Sequence, residues 1–253
     1  MVFRLKYLLI LSSICFASFQ ATAQEMESDT ILDQVLLRKK MAGGIVLHSR
    51  GWGFQFQKGR NITYFKSIMW EVNAVSMKSP KQVRTINPYF SNAKSYFYGK
   101  LNHIYVLRGG IGIDKMLNRK PYWGGVELRL VGYGGVTLAI AKPVYLYILN
   151  FTSSYYDYEI VIEKYDPSKH FLDNIYGRAP FSRGLGELNF YPGVYGKVGM
   201  NFEYGQYNSK IKSVEIGAVF EFFPIPVPIM AFNDSDYYFL TLYINISIGK
   251  RFN

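Results

Sequence analysis

The 253-residue sequence predicts an all-β protein, a transmembrane antiparallel β-barrel of about eight strands behind an N-terminal signal peptide. Three observations predict it. From Tyr238 onward the chain alternates without a break: Tyr238, Leu240, Leu242, Ile244, Ile246 and Ile248 share one parity, while Thr241, Tyr243, Asn245, Ser247, Gly249 and Arg251 share the other. Strand side chains change face at every residue, so this segment has one greasy and one polar face, as a strand between lipid and a wet lumen requires. Aromatic residues make up 17 % of the chain, with 22 Tyr and 19 Phe, and Tyr and Trp favour the membrane interface. Past the leader no stretch approaches the roughly 20 apolar residues of a spanning helix. Mean hydropathy is close to zero, as it is when a polar lumen face offsets a lipid face.

Residues 1–23 read as a secretory signal peptide: Arg4 and Lys6 at the start, a mostly apolar run over 7–19, and the cleavage pattern Ala21-Thr22-Ala23. Cys15 is the single cysteine. The mature chain would therefore carry no disulfide and no thiolate metal site. Residues 24–43 form an N-terminal segment with two readings. One is a first strand near 30–40 that turns at 41–44; the other is a segment in the lumen or periplasm, favoured by the helical spacing of Ile31, Leu32, Val35 and Leu36. An even strand count and the absence of a free edge favour the strand.

Residues 44–253 are expected to be the outer-membrane barrel. The first visible strand is read over 44–58, with Val46, Trp52, Phe54 and Phe56 on the lipid face, and a turn at 58–61. The second spans 62–77 and the third about 98–116, with a turn at 117–121. The fourth runs from 122 to about 148 through Gly132-Tyr133-Gly134-Gly135, which is either a hairpin turn or a kink in one long strand. Loop lengths favour one strand: short connections then fall at one end and the long ones (78–97, 149–186, 224–236) at the other. The fifth covers 188–204, with a bulge or unpaired extension expected at Pro192 because it lacks a ladder donor. The sixth covers 211–223 and the seventh closes the chain.

The polar parity of these strands collects Glu71, Asp114, Glu127, Arg129, Glu187, Lys197, Glu203, Glu215 and Glu221. A barrel of eight strands is only wide enough to be filled by side chains. Charges inside it must pair or hold water. A salt-bridged interior is the plain expectation, centred on Glu71, Glu127, Arg129, Glu203 and Glu215; a narrow conduit or small-ligand site is the alternative. His48 is the weak catalytic candidate, since a lipid-modifying barrel would use a His to activate a Ser. Ser49 beside it faces the other way, so the Ser would have to come from another strand. His103 falls on the lipid parity near a strand end, and His170 sits in the long loop without metal-ligand spacing. The run Arg108-Gly109-Gly110-Ile111-Gly112 lies in a strand and leads into no helix, so it is not a phosphate loop. No cofactor and no metal site is expected. The formal charge is +11 and would be +9 once Arg4 and Lys6 leave with the leader. In an exported chain this points either to phosphorylated surface lipid, lipopolysaccharide included, or simply to solvated charge at strand ends, and not to nucleic acid.

Several stretches carry a resemblance: GGIVLHSRGWGFQF at 43–56, NPYFSNAKSYFYGKLN at 87–102, GGVELRL at 124–130 with AKPVYL at 141–146, YDPSKHFLDNIYGRAPF at 165–181 with GLGELNFYPG at 184–193, and VPIMAF at 227–232, where the family phrase opens on Ile. Together they resemble an uncharacterised family of outer-membrane β-barrel proteins of Bacteroidota, over nearly the whole mature chain. The resemblance implies a Gram-negative outer membrane and insertion by the barrel-assembly machinery, with Phe252 as the C-terminal assembly signal. It implies no catalytic residue. The expected function is a non-catalytic structural or accessory role in the envelope, exercised through long extracellular loops on a partner protein or surface lipid and within an outer-membrane complex. A lipid-modifying enzyme and a small-solute channel are the alternatives.

Overall fold

Strand pairing closes on itself in the computed structural model, which describes residues 39–90, 92–119, 125–151, 158–205, 209–233 and 235–252. The signal peptide and residues 24–38 lie outside the described residues. In chain order the strands are β1 (Lys39–His48), β2 (Gly51–Asn61), β3 (Lys66–Met77), β4 (Arg84–Thr85), β5 (Tyr96–Phe97), β6 (Asn102–Asn118), β7 (Glu127–Pro143), β8 (Tyr145–Phe151), β9 (Tyr158–Lys164), β10 (Ile175–Arg178), β11 (Asn189–Glu203), β12 (Lys210–Val227) and β13 (Asp236–Phe252). Eight of them form a closed antiparallel barrel in the order β1-β13-β12-β11-β7-β6-β3-β2. The seam joins β1 to β13, from Lys39↔Phe252 to His48↔Tyr243, so no edge is left open to pair with another chain.

Outward side chains form an apolar belt. Trp52, Phe54, Trp70, Val72, Val136, Val198, Leu242 and Ile244 are all exposed. A surface bathed in water does not carry a continuous apolar ring of this size. With the polar groups turned inward and every strand paired, this is a barrel whose outer solvent is hydrocarbon.

Several sequence expectations shift. Residues 44–58 are not one strand. The chain turns at Ser49-Arg50, between β1 and β2, and His48 pairs with Gly51. This hairpin lacks the Asn-Gly or Asp-Gly signal that marks such turns in sequence, and the His48 ring supplies its own stabilisation: the Arg50 N–H donates to His48 Nδ1 at 3.2 Å. The hidden turn inverts the parity on either side of it. Val46 is therefore buried in the lumen, while Ile45 and Leu47 face out with Trp52 and Phe54. The residues expected to turn at 41–44 are inside β1, and those expected to turn at 58–61 are the end of β2; the turn falls at 62–65. The strand expected from about residue 98 is β6, the fourth of the barrel, and starts at Asn102.

The strand expected from residue 122, β7, is unbroken through Gly132–Gly135, as the loop lengths required, and pairs with β6 and β11 along its length. It ends at Pro143, and residues beyond Val144 join a separate sheet in the order β10-β8-β9. Pro192 stays in register with Leu138 of β7 but lies beyond the last β11–β12 pair, Val194↔Phe222, so its missing donor faces an unpaired side.

The short connections 62–65, 119–126 and 204–209 share the end at which β1 begins and β13 finishes. The long segments 78–101, 144–188 and 228–235 share the other end and pack into a cap. Its core is Tyr96, Val144, Leu146, Ile148, Tyr165 and Ile175. Asn87 Nδ2 donates to the Ile175 carbonyl at 2.8 Å, the Val144 N–H to Leu101 O at 2.9 Å and the Ala231 N–H to Gly99 O at 2.7 Å. All three long segments are thereby tied to one another.

Candidate functional site

The interior is layered along the barrel axis. At the short-turn end Lys40 pairs with Asp114 at 2.5 Å, Asp114 with Arg129 at 3.3 Å, and Arg129 with Glu127. Arg251 pairs with Glu203 at 2.5 Å and reaches Glu127 at 3.9 Å. In the middle, Lys197 Nζ lies between two carboxylates, 2.6 Å from Glu71 and 2.8 Å from Glu215, with all three side chains out of contact with solvent. The rings of Tyr133 and Tyr243 lie 5.0 and 4.7 Å from the same ammonium. Glu71 also accepts from Gln55 (2.9 Å), Gln57 (3.2 Å), Asn73 (2.9 Å) and the Tyr195 hydroxyl (3.3 Å), and Glu215 accepts from Tyr243 at 2.7 Å. Above this layer Arg108 grips Glu221 through two parallel bonds of 3.0 and 3.1 Å, and Thr137 donates to the same carboxylate at 3.1 Å.

These contacts decide what the lumen can do. Every carboxylate in it has a cation and at least one hydrogen bond, the condition under which buried charge is tolerated. The mouth at the cap end is then filled by an apolar cluster that includes Val75, Met77, Ile104, Val106, Phe223, Val227 and Phe239. Packed side chains occupy the axis from the lower ion pairs to the cap.

Of the lumen residues read from sequence, Glu71 and Glu215 meet at Lys197, whereas Glu127, Arg129 and Glu203 belong to the separate lower group. Glu187 is not in the lumen. It is exposed in the long loop, where it accepts from the Tyr145 hydroxyl at 2.5 Å and pairs with Lys164 at 3.4 Å; its strand begins only at Asn189. Lys40 escaped the sequence reading because β1 had been drawn in the wrong place. Arg108 and Arg251 had the right parity, but their partners are set by register across strands. The tyrosines at 133, 195 and 243 also had the right parity. What sequence could not show is that the glycines opposite make room for them: a Cβ on Gly110 would meet the Tyr195 hydroxyl at 2.5 Å. Gly110 and Gly112 thus serve close packing inside the barrel.

His48 sits at the top of β1 as the turn cap described above. Its other nitrogen, Nε2, is buried without a hydrogen-bond partner, and the Ser76 hydroxyl is spent on the Trp52 carbonyl at 3.1 Å. No nucleophile–base pair is formed there among the described residues. His170 is buried. It accepts the Asp166 N–H on Nδ1 at 3.0 Å and meets Glu163 at 3.2 Å through Nε2, which fixes the turn 166–170. Among the described residues no cluster of His, Cys, Asp and Glu is arranged to hold a metal. Phe252, the C-terminal aromatic, is the last residue of β13 and pairs with Lys39 across the seam.

The cap is built partly from the loop aromatics. Phe90 meets Tyr158 and Tyr176 edge-on at 5.7 and 5.2 Å, and Tyr165 is buried, its hydroxyl pushed up to about 12 by that burial. Tyr89, Phe171 and Phe232 remain exposed.

No family model and no curated protein matches this chain. Among solved structures it is similar to Ail, the attachment invasion locus protein of Yersinia pestis, at 10 % identity and a TM-score of 0.41, over 85 % of this chain and 98 % of that one. The same figures hold for Ail in complex with the heparin analogue sucrose octasulfate. Neisserial surface protein A (NspA) is similar at 7 % identity and a TM-score of 0.40, over 85 % of this chain and 95 % of that one. The fold described above stands on this chain's own strand pairing.

Proposed function

We propose that this chain is an integral outer-membrane β-barrel of a Gram-negative envelope, on the phrases quoted above that of a Bacteroidota species, with a non-catalytic structural or accessory role. The long-segment end faces the outside and the chain termini face the periplasm, following the short-periplasmic, long-external rule for such barrels. It works through its extracellular segments on a partner protein or a surface lipid such as lipopolysaccharide, within an outer-membrane complex, after insertion by the barrel-assembly machinery with Phe252 as part of the signal. The observation that carries this reading is the contrast between a lumen filled with satisfied ion pairs beneath an apolar plug and a folded cap that still exposes Tyr89, Phe171 and Phe232. Packed side chains along the axis speak against solute passage, and among the described residues His48, engaged as a turn cap, meets no nucleophile.

Affinity isolation of the tagged chain from native membranes in mild detergent tests the reading. A stoichiometric partner or tightly held lipid is expected. Recovery of a bare monomer, with no envelope defect on deletion, would overturn it. The enzymatic alternative is checked on the same strain: His48→Ala leaves lipid A and phospholipid species unchanged and lowers barrel stability by about 1 kcal/mol, the worth of one hydrogen bond.

A further inference from the structure

Three basic side chains stand side by side on the outward parity of three neighbouring strands at the loop-end rim: Lys78 is exposed, His103 half-buried, and Lys142 covered. Lys78 follows the last residue of β3, His103 is the second residue of β6, and Lys142 is directly opposite His103 on β7. Continuing the β3–β6 register by one residue sets Lys78 opposite His103 on its other side. Adjacent strands are about 4.8 Å apart, so the three side chains span roughly 10 Å. Lys100 backs the row from the cap. Its ammonium donates to Gln82 at 3.0 Å and lies 5.1 Å from the Phe97 ring. Burial, and then the positive charge of Lys78, pushes it down to about 8.

Nothing among the described residues neutralises this group. The charges close enough to act on the His103 ring are Lys100, Lys142 and Lys78, all cations. Lys142 Nζ rests over the Phe181 ring at 4.5 Å and meets no carboxylate. Three carboxylates of the cap are engaged elsewhere: Asp236 with Arg50, Glu163 with His170, Glu187 with Lys164. This contrasts with the lumen, where every cation has its acid.

The height of the row identifies its counter-ion. Two residues further into the barrel wall on the same face are Ser76, Tyr105 and Ile140, then Ala74, Leu107 and Leu138. A two-residue step is about 6.6 Å. Two lysines flanking an imidazole therefore stand one step above side chains that belong to the apolar belt, at the level where acyl chains give way to headgroups. Exposed Phe181 flanks the site from the long loop. Resting on the membrane-barrel reading above, we infer that Lys78, His103 and Lys142, backed by Lys100, form a binding site for the phosphate of an outer-leaflet lipid whose acyl chains lie along Tyr105, Leu107, Leu138 and Ile140. A lipid phosphate is favoured over a free anion because the cations and the apolar track are continuous on one face.

The full chain in detergent micelles, probed by native mass spectrometry with bisphosphorylated lipid A and with its dephosphorylated form, tests the site. A lysine near a phosphorylated surface contributes about fivefold in binding. The wild type is expected to favour the phosphorylated probe. Lys78→Gln should lower that preference about fivefold and the Lys78→Gln/Lys142→Gln pair roughly 20-fold. The control pair Lys58→Gln/Lys212→Gln, exposed near the opposite rim, should change it less than about twofold. No preference in the wild type, no loss in the rim variants, or an equal loss in the controls overturns the site. Displacement of the lipid by millimolar inorganic phosphate assigns the cations to a soluble anion and overturns the lipid assignment. Heat-modifiable mobility on the same samples separates the two readings. A folded barrel without the preference removes only this site, whereas a chain that never shows barrel mobility removes the membrane-barrel reading together with it.

Discussion

The lumen and the mouth of this barrel are built on the same strands, yet they are filled by opposite chemistry. Below, Lys197, Glu71 and Glu215 share one buried group in which a single ammonium bridges two carboxylates and glutamine, asparagine and tyrosine donate to their remaining lone pairs. Above, Val106, Phe223 and Phe239 meet as they would in the core of a water-soluble protein. The difference teaches that polar parity marks the inside of the barrel and not its wetness. Inward positions are charged where they can find register partners, and apolar where the cap can cover them. The lower layer derives its specificity from directional bonds; the upper layer derives its stability from area removed from water.

Removing one partner from the lower layer should have the largest effect. Lys197→Met leaves two carboxylates without a counter-charge and should cost roughly 3–5 kcal/mol, read by urea titration of folding into lipid vesicles with tryptophan fluorescence. Replacing the whole group, as Glu71→Gln/Lys197→Met/Glu215→Gln, should recover most of that loss, since the penalty lies in unpaired charge. A triple variant as unstable as the single one would erase the distinction between the layers. Phe223→Ala in the mouth should cost about 3 kcal/mol through the cavity it leaves. Planar-bilayer recordings should stay silent for that variant and for the wild type, because the ion-paired layer still fills the axis. Current in the variant alone would mean that the apolar plug is the sole seal.

Much of this was legible in the strands that alternate cleanly. β13 and β12 gave the same faces in sequence and structure, down to the inward Glu215 and Glu221 and the outward Ile216 and Phe220. The continuity of β7 through its glycines followed from loop lengths alone. The start of the chain was not legible in this way. A two-residue turn at Ser49-Arg50 carries no glycine, asparagine or proline at its centre and is held by a histidine ring, so the sequence ran two strands into one and set Val46 on the wrong face. Lys40 disappeared from the lumen for the same reason. The basic group at the rim was illegible for another reason: Lys78, His103 and Lys142 lie far apart in the chain and become neighbours only through register.

The alternation of side chains and the length of the connections determined by themselves the fold class, the face of most residues and the end at which the long segments gather, because a strand's period is a local property of the backbone. Tertiary structure alone decided which charge meets which, where the axis is sealed, and which cations are left over at the rim. Those outcomes depend on how strands far apart in sequence slide against one another when the barrel closes, and that register is fixed by the packing of the whole cylinder and not by any one strand.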